Sequence, residues 1–135
     1  MKVLFTSIIF ASVFFLIIDV IWLTYSVKSF YRPNLGNLLN DKPVIWAAIL
    51  FYLTYVLGLS ILVLYPSLNE ANIAIIFFKG LVFGVVCYGT YNLTNMATIK
   101  DWSSKVVIVD MVWGGLLTGF SSSSSIFFAK KLFLT

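Results

Sequence analysis

The chain has 135 residues, of which 61% are hydrophobic, 18% aromatic and only 10% charged, with a mean hydropathy of +1.01. Soluble domains run near roughly 25% charged, so this composition excludes one. Nine Lys and Arg against five Asp and Glu give a net charge of +4, His is absent and Cys87 is the one cysteine; this removes the commonest metal ligand, the usual general base near neutral pH and any internal disulfide.

A hydrocarbon core of about 30 Å takes roughly 20 apolar helical residues to cross, and only helices or closed barrels satisfy the backbone inside it. The first segment long enough runs from about Val3 to Val27. Its apolar stretch outlasts the core of a signal peptide and shows no A-x-A-like cleavage site before the charged link, so it is expected to remain as a spanning helix. Within it Asp19 and Trp22 stand three residues apart, on one helix face. The link Lys28 to Pro43 (KSFYRPNLGNLLNDKP) follows, and Pro33, Gly36 and Pro43 predict that no continuous helix crosses it.

The second span is expected over Val44 to Tyr65 and leads into the short link Pro66 to Asn72. The third, Ile73 to Met96, carries Gly80 and Gly84 early and then Tyr88, Tyr91, Asn92, Thr94 and Asn95 in its last turns. After the link Ala97 to Lys105 comes the fourth, Val106 to Phe128, with Asp110, Trp113, Gly114, Gly115, Gly119 and five consecutive serines from Ser121 to Ser125. All four apolar runs are continuous rather than alternating, which excludes a barrel pattern. The fold class is therefore all-α integral membrane, four transmembrane helices in a compact bundle with short loops. Residues 1–135 form a single membrane domain, since the links leave no room for a soluble one.

With four crossings, the second link lies on one side of the membrane with both chain ends (side A), and the first and third links lie on the other (side B). Side B carries Lys28, Arg32, Lys42, Lys100 and Lys105; side A carries Lys2, Lys130 and Lys131, together with Lys79, whose stem reaches back to that surface. The excess of five over four leans towards side B in the cytoplasm.

Position concentrates the polarity on side B. At 1.5 Å per residue Asp19 lies about 12 Å from the side B end of its helix and Asp110 about 6 Å from the start of its own. The Tyr and Asn residues of the third helix and all four tryptophans, Trp22, Trp46, Trp102 and Trp113, fall near the same face. Interfacial anchoring accounts for Trp46 and Trp102. Trp22 and Trp113 each follow an acid by three residues, so each indole is placed to donate to the carboxylate one turn before it. A carboxylate near the bilayer centre costs roughly 2.5 to 3.5 kcal/mol, less towards the interface, and usually faces a bundle interior or water. The candidate partners are Arg32 and Lys28 from the first link, Lys100 or Lys105 from the third, and the amides of Asn92 and Asn95. A buried polar clamp that fixes helix packing and a site for an ion, proton or polar headgroup both fit this pattern.

Gly80 with Gly84, and Gly115 with Gly119, form small-xxx-small pairs that let backbones approach closely, either between the third and fourth helices or in a homo-oligomer. The serine run reads as low complexity that need not break its helix, since hydroxyls bond back to the preceding turn. No nucleophile elbow, phosphate loop or metal-ligand spacing occurs, so no catalytic residue, cofactor or metal is assigned, and no nucleic-acid partner is expected.

Asp-x-x-Trp at Asp19, YRPNLGNLL at Tyr31 to Leu39, TYNLTNMAT at Thr90 to Thr98, Trp102 and the Asp110-x-x-Trp113-Gly114 segment together resemble a family of bacterial predicted membrane proteins, domain of unknown function 2177. The resemblance implies a multipass protein of the bacterial inner membrane. It also implies an aspartate where this chain has Asn92, leaving Asp19 and Asp110 of three intramembrane acids. No reaction comes with it. The residues define a candidate polar pocket of Asp19, Trp22, Arg32, Tyr88, Tyr91, Asn92, Asn95, Asp110 and Trp113, which would bind or transport a cation, proton or small polar solute. The alternatives are a lipid-headgroup binding protein or membrane enzyme, and an accessory subunit of a larger membrane complex.

Overall fold

Without water to take up N–H and C=O groups, each apolar segment has to close its own hydrogen bonds, and the computed structural model, which describes residues 1–134, is helical at all four. The helices are α1 (Lys2–Ser26), the short α2 (Arg32–Leu35), α3 (Ile45–Leu59), α4 (Ile73–Thr98) and α5 (Ser104–Leu134), with no strand among the described residues. Four helical stretches, Lys2–Leu38, Ile45–Ser67, Ile73–Thr98 and Ser104–Leu134, are long and apolar enough to cross a membrane. The fold is the four-span all-α architecture expected from the sequence.

The first link departs from expectation. α1 does not stop at Val27 but runs through a wide π-type turn, Val27–Tyr31, directly into α2. Pro33 falls in the first turn of α2, where a missing N–H costs little, so it does not end the helix. The break comes at Gly36, with φ of 54°, a left-handed conformation that glycine adopts without strain. The consequence is positional: Tyr31 and Leu35 are folded down onto Val106 at the start of α5.

α5 is the central helix. Some 61% of its most apolar 18-residue stretch is buried within the protein, against 22% for each of the other three spans. Its small residues make this possible. A Cβ added at Gly80 would lie 2.7 Å from the Thr118 carbonyl oxygen, one at Gly119 would lie 2.8 Å from the Phe77 carbonyl oxygen, and one at Gly115 would meet Val85 at 2.7 Å. The glycine pairs are thus taken up by the α4–α5 seam inside one chain. α1 packs on α5 through Ser7, Ala11, Phe15 and Asp19, which recur every four residues along one face.

The serine run lies within this central position. Ser121, Ser122 and Ser125 are fully buried, and the Ser122, Ser123 and Ser125 hydroxyls donate to the carbonyls of Thr118, Gly119 and Ser122 at 2.7 to 2.9 Å. The helix continues unbroken, as expected. α3 is attached mainly through its wide last turn, Ser60–Leu64, where Val63 and Leu64 join Ala11, Leu59, Ile76 and Ile126 in an apolar cluster. Towards side B, α3 leaves an open groove of about 510 Å³ against α4. On side A, α5 is tied to the second link by Lys130 Nζ, which donates to the Glu70 carbonyl at 2.5 Å.

Candidate functional site

Both intramembrane acids are drawn into one polar cluster on side B, and each is held by a different helix pair. Asp19 is 6% exposed. It accepts from the Tyr52 hydroxyl of α3 at 2.6 Å and from Trp113 Nε1 of α5 at 3.3 Å. Asp110 is 9% exposed. One of its oxygens accepts from the Tyr31 hydroxyl, and the other from Asn92 Nδ2 of α4 at 3.0 Å. All four carboxylate oxygens are therefore occupied by neutral donors.

The two halves are joined through the tryptophans. Trp22 and Trp113 stack with ring centroids 4.3 Å apart and planes 15° from parallel. Trp22 Nε1 donates to the Tyr31 hydroxyl at 3.1 Å, and that hydroxyl donates in turn to Asp110. A continuous path of polar and aromatic contacts thus runs from Tyr52 through Asp19, Trp113, Trp22 and Tyr31 to Asp110 and Asn92. Asn92 is fully buried, its amide nitrogen also donates to the Tyr88 carbonyl at 3.0 Å, and its Oδ1 has no partner in the protein. The nitrogen is the end that faces Asp110, because the oxygen would oppose two acceptors there.

The donor pattern differs from the one expected within single helices. Trp113 serves the acid of α1 rather than Asp110 three residues before it, and Trp22 serves Tyr31 rather than Asp19. Only Trp113 donates across the interface, from α5 to α1; Trp22 donates within its own helical stretch to Tyr31, whose hydroxyl carries the contact across to Asp110 of α5. No basic residue lies within ion-pair distance of either acid among the described residues. Arg32, expected to fold in, instead points outward from α2 and meets the exposed Asp41 at 3.9 Å.

The remaining expected residues are spread out. Tyr88 lies over Gly114, where no side chain would fit, and meets Tyr55 edge-on at 6.2 Å. Tyr91 is 56% exposed and packs edge-on against Trp102 at 5.9 Å. Asn95 makes no hydrogen bond to either acid and contributes its backbone carbonyl to the end of α4. Two residues of the cluster were not among the expected set. Tyr31 lay in a link, although within the YRPNLGNLL segment, and Tyr52 lay on α3 without any charged or amide side chain near it in sequence to single it out. A further pair, Tyr55 and Thr118, bonds at 2.6 Å deeper in the bundle.

Three or more His, Cys, Asp or Glu side chains in metal-binding arrangement do not occur among the described residues. The cluster therefore has the chemistry of two carboxylates, an amide and phenols. It can accept a proton or a small cation on carboxylate oxygens, and it can relay hydrogen bonds between helices α1, α3, α4 and α5.

Four spanning helices closed around this buried polar cluster define a small multipass membrane protein. The family model described as Predicted membrane protein (DUF2177) matches residues 4–127, and the chain belongs to that family. No match to the chain is found among the curated proteins or among the solved structures.

Proposed function

We propose that this protein binds a proton or a small monovalent cation at the Asp19 and Asp110 carboxylates, entering from side B, in a bacterial inner membrane with side B towards the cytoplasm. The observation that carries the reading is that two carboxylates buried in spanning helices are held by neutral donors alone. An ionised carboxylate costs roughly 2.5 to 3.5 kcal/mol at the centre of a membrane and less towards its face, and burying a charge without a counter-charge is what proteins avoid. Tyrosine, indole and amide donors offset part of that cost. A bound proton or cation offsets the rest. Asp110, six residues into α5 and so about 9 Å from its side B end, is the nearer to the surface and the first to be reached.

The test is ligand-linked stability. A ligand that binds only the folded protein stabilises it by about 2.7 kcal/mol at a concentration 100 times its Kd. The unfolding midpoint of purified wild type is expected to respond to pH, or to replacement of Na⁺ or K⁺ by choline, while Asp19→Asn with Asp110→Asn removes that response. A midpoint in wild type that is indifferent to both pH and alkali cations refutes the reading.

A further inference from the structure

We propose a second binding site, on the opposite side of the membrane, in which the groove between α3 and α4 holds one anionic phospholipid with its phosphate on Lys79. The groove has a volume of about 400 Å³ and is walled by Leu62 and Val63 on one side and by Phe78, Val82 and Val86 on the other, with Lys79 at its lip. Phe83 belongs both to this wall and to that of the groove continuing towards side B.

Three observations select the occupant. Lys79 lies six residues inside α4, about 9 Å along the helix, and no hydrogen bond or ion pair engages it among the described residues. A cation at that depth keeps its stem against apolar surface and turns its ammonium to the headgroup layer, where it takes a phosphate. Second, the walls are otherwise entirely apolar, and Leu62, Phe78 and Val86 expose 64, 63 and 59% of their surface in the isolated chain. Third, from Phe78 to Val86 the α4 side of the groove spans about 12 Å, a little under half of a hydrocarbon core of about 30 Å. That is the depth one leaflet's acyl chain occupies. A negatively charged headgroup above an acyl chain meets all three conditions. The site is independent of the carboxylates, which lie near side B.

Native mass spectrometry from mild detergent, with phosphatidylglycerol and phosphatidylcholine offered in equal amounts, tests the proposal. Wild type and Lys79→Arg are expected to retain one phosphatidylglycerol with about fivefold preference over phosphatidylcholine, which corresponds to the ~1 kcal/mol that one basic side chain contributes near an anionic surface. Lys79→Gln is expected to lose the preference, and Val82→Trp or Leu62→Trp, which fill the groove, to lower retention of both lipids. Equal retention of the two lipids by wild type overturns the proposal. So does a preference that survives in Lys79→Gln, which would assign it to other basic residues, or a lipid-free dimer, which would assign the groove to a second copy of the chain.

Discussion

Gly84→Ala is the sharpest probe of how packing supports the polar cluster. The added Cβ would fall on the Gly114 carbonyl oxygen, 2.7 Å from the carbonyl carbon and 2.8 Å from Thr118 Oγ1. Ordinary contact begins at 3.4 Å, so clearing the carbonyl carbon alone takes a retreat of α5 from α4 by about 0.7 Å and clearing the closer oxygen takes more, and neither obstacle is the free end of a flexible side chain. Eight residues further along α4, about 12 Å away, Asn92 holds Asp110 at 3.0 Å. If the retreat is carried that far, the separation exceeds about 3.7 Å and the hydrogen bond is lost. Overpacking costs about 1 to 3 kcal/mol and an interhelical hydrogen bond in a membrane about 0.6, at most about 1.7; Gly84→Ala is therefore expected to destabilise by roughly 2 to 4 kcal/mol. The assay is unfolding by sodium dodecyl sulfate in mixed micelles, followed by circular dichroism. Gly58→Ala is the control, since its Cβ would meet only the ring edge of Phe83, at 3.3 Å and with no backbone atom in the way, and should change stability by less than about 0.5 kcal/mol. Equal stability of Gly84→Ala and Gly58→Ala would refute the account of the α4–α5 seam.

Tyr31→Phe removes the donor to Asp110 and the acceptor of Trp22 while keeping the ring, and by the same membrane hydrogen-bond scale should cost about 1 to 3 kcal/mol; a cost under about 0.5 kcal/mol in the same assay would show that the hydroxyl is dispensable. Arg32→Ala should leave both stability and the cation response of the midpoint within error, since its contact with Asp41 is exposed; loss of the response would bring Arg32 back into the site. Ser121→Ala should be neutral or stabilising by up to about 1 kcal/mol, because its buried hydroxyl has no partner in the protein. Destabilisation by more than that in the micelle assay would reveal a bonded hydroxyl.

The spans were legible because twenty or more continuous apolar residues admit one solution in lipid. Asp19, Trp22, Asn92, Asp110 and Trp113 were legible as a group because polar residues in such spans are costly and these share one depth. Their pairing was not. Helical spacing says that Trp113 shares a face with Asp110, but the choice between that acid and Asp19 depends on how α1 and α5 rotate against each other, which no single helix records. Tyr31 was hidden because Pro33 and Gly36 make the first link read as irregular, whereas a wide turn carries the helix on to Gly36. Arg32 was misplaced for the same reason: once the helix continues, residues 31 and 32 diverge, and burying the tyrosine turns the arginine outward. Tyr52 left no signal, since a tyrosine in an apolar helix commonly faces the headgroup layer.

The glycine spacings left open whether α4 packs on α5 or on another copy of the chain, and only the seam decides that they serve within one chain. The serine run reads as featureless by composition. Its use lies in side-chain size, which lets α5 occupy the middle of the bundle while the other helices present their large residues outward.

The most direct test of the central claim is an infrared difference spectrum of the carboxyl region, recorded on purified protein as pH is changed and as Na⁺ or K⁺ is exchanged for choline. A carboxyl signal is expected in wild type for at least one of these exchanges, and it should vanish in Asp19→Asn with Asp110→Asn. A wild-type spectrum that stays flat through every exchange, or a signal that persists in the double variant, would contradict the assignment of proton or cation binding to these two acids.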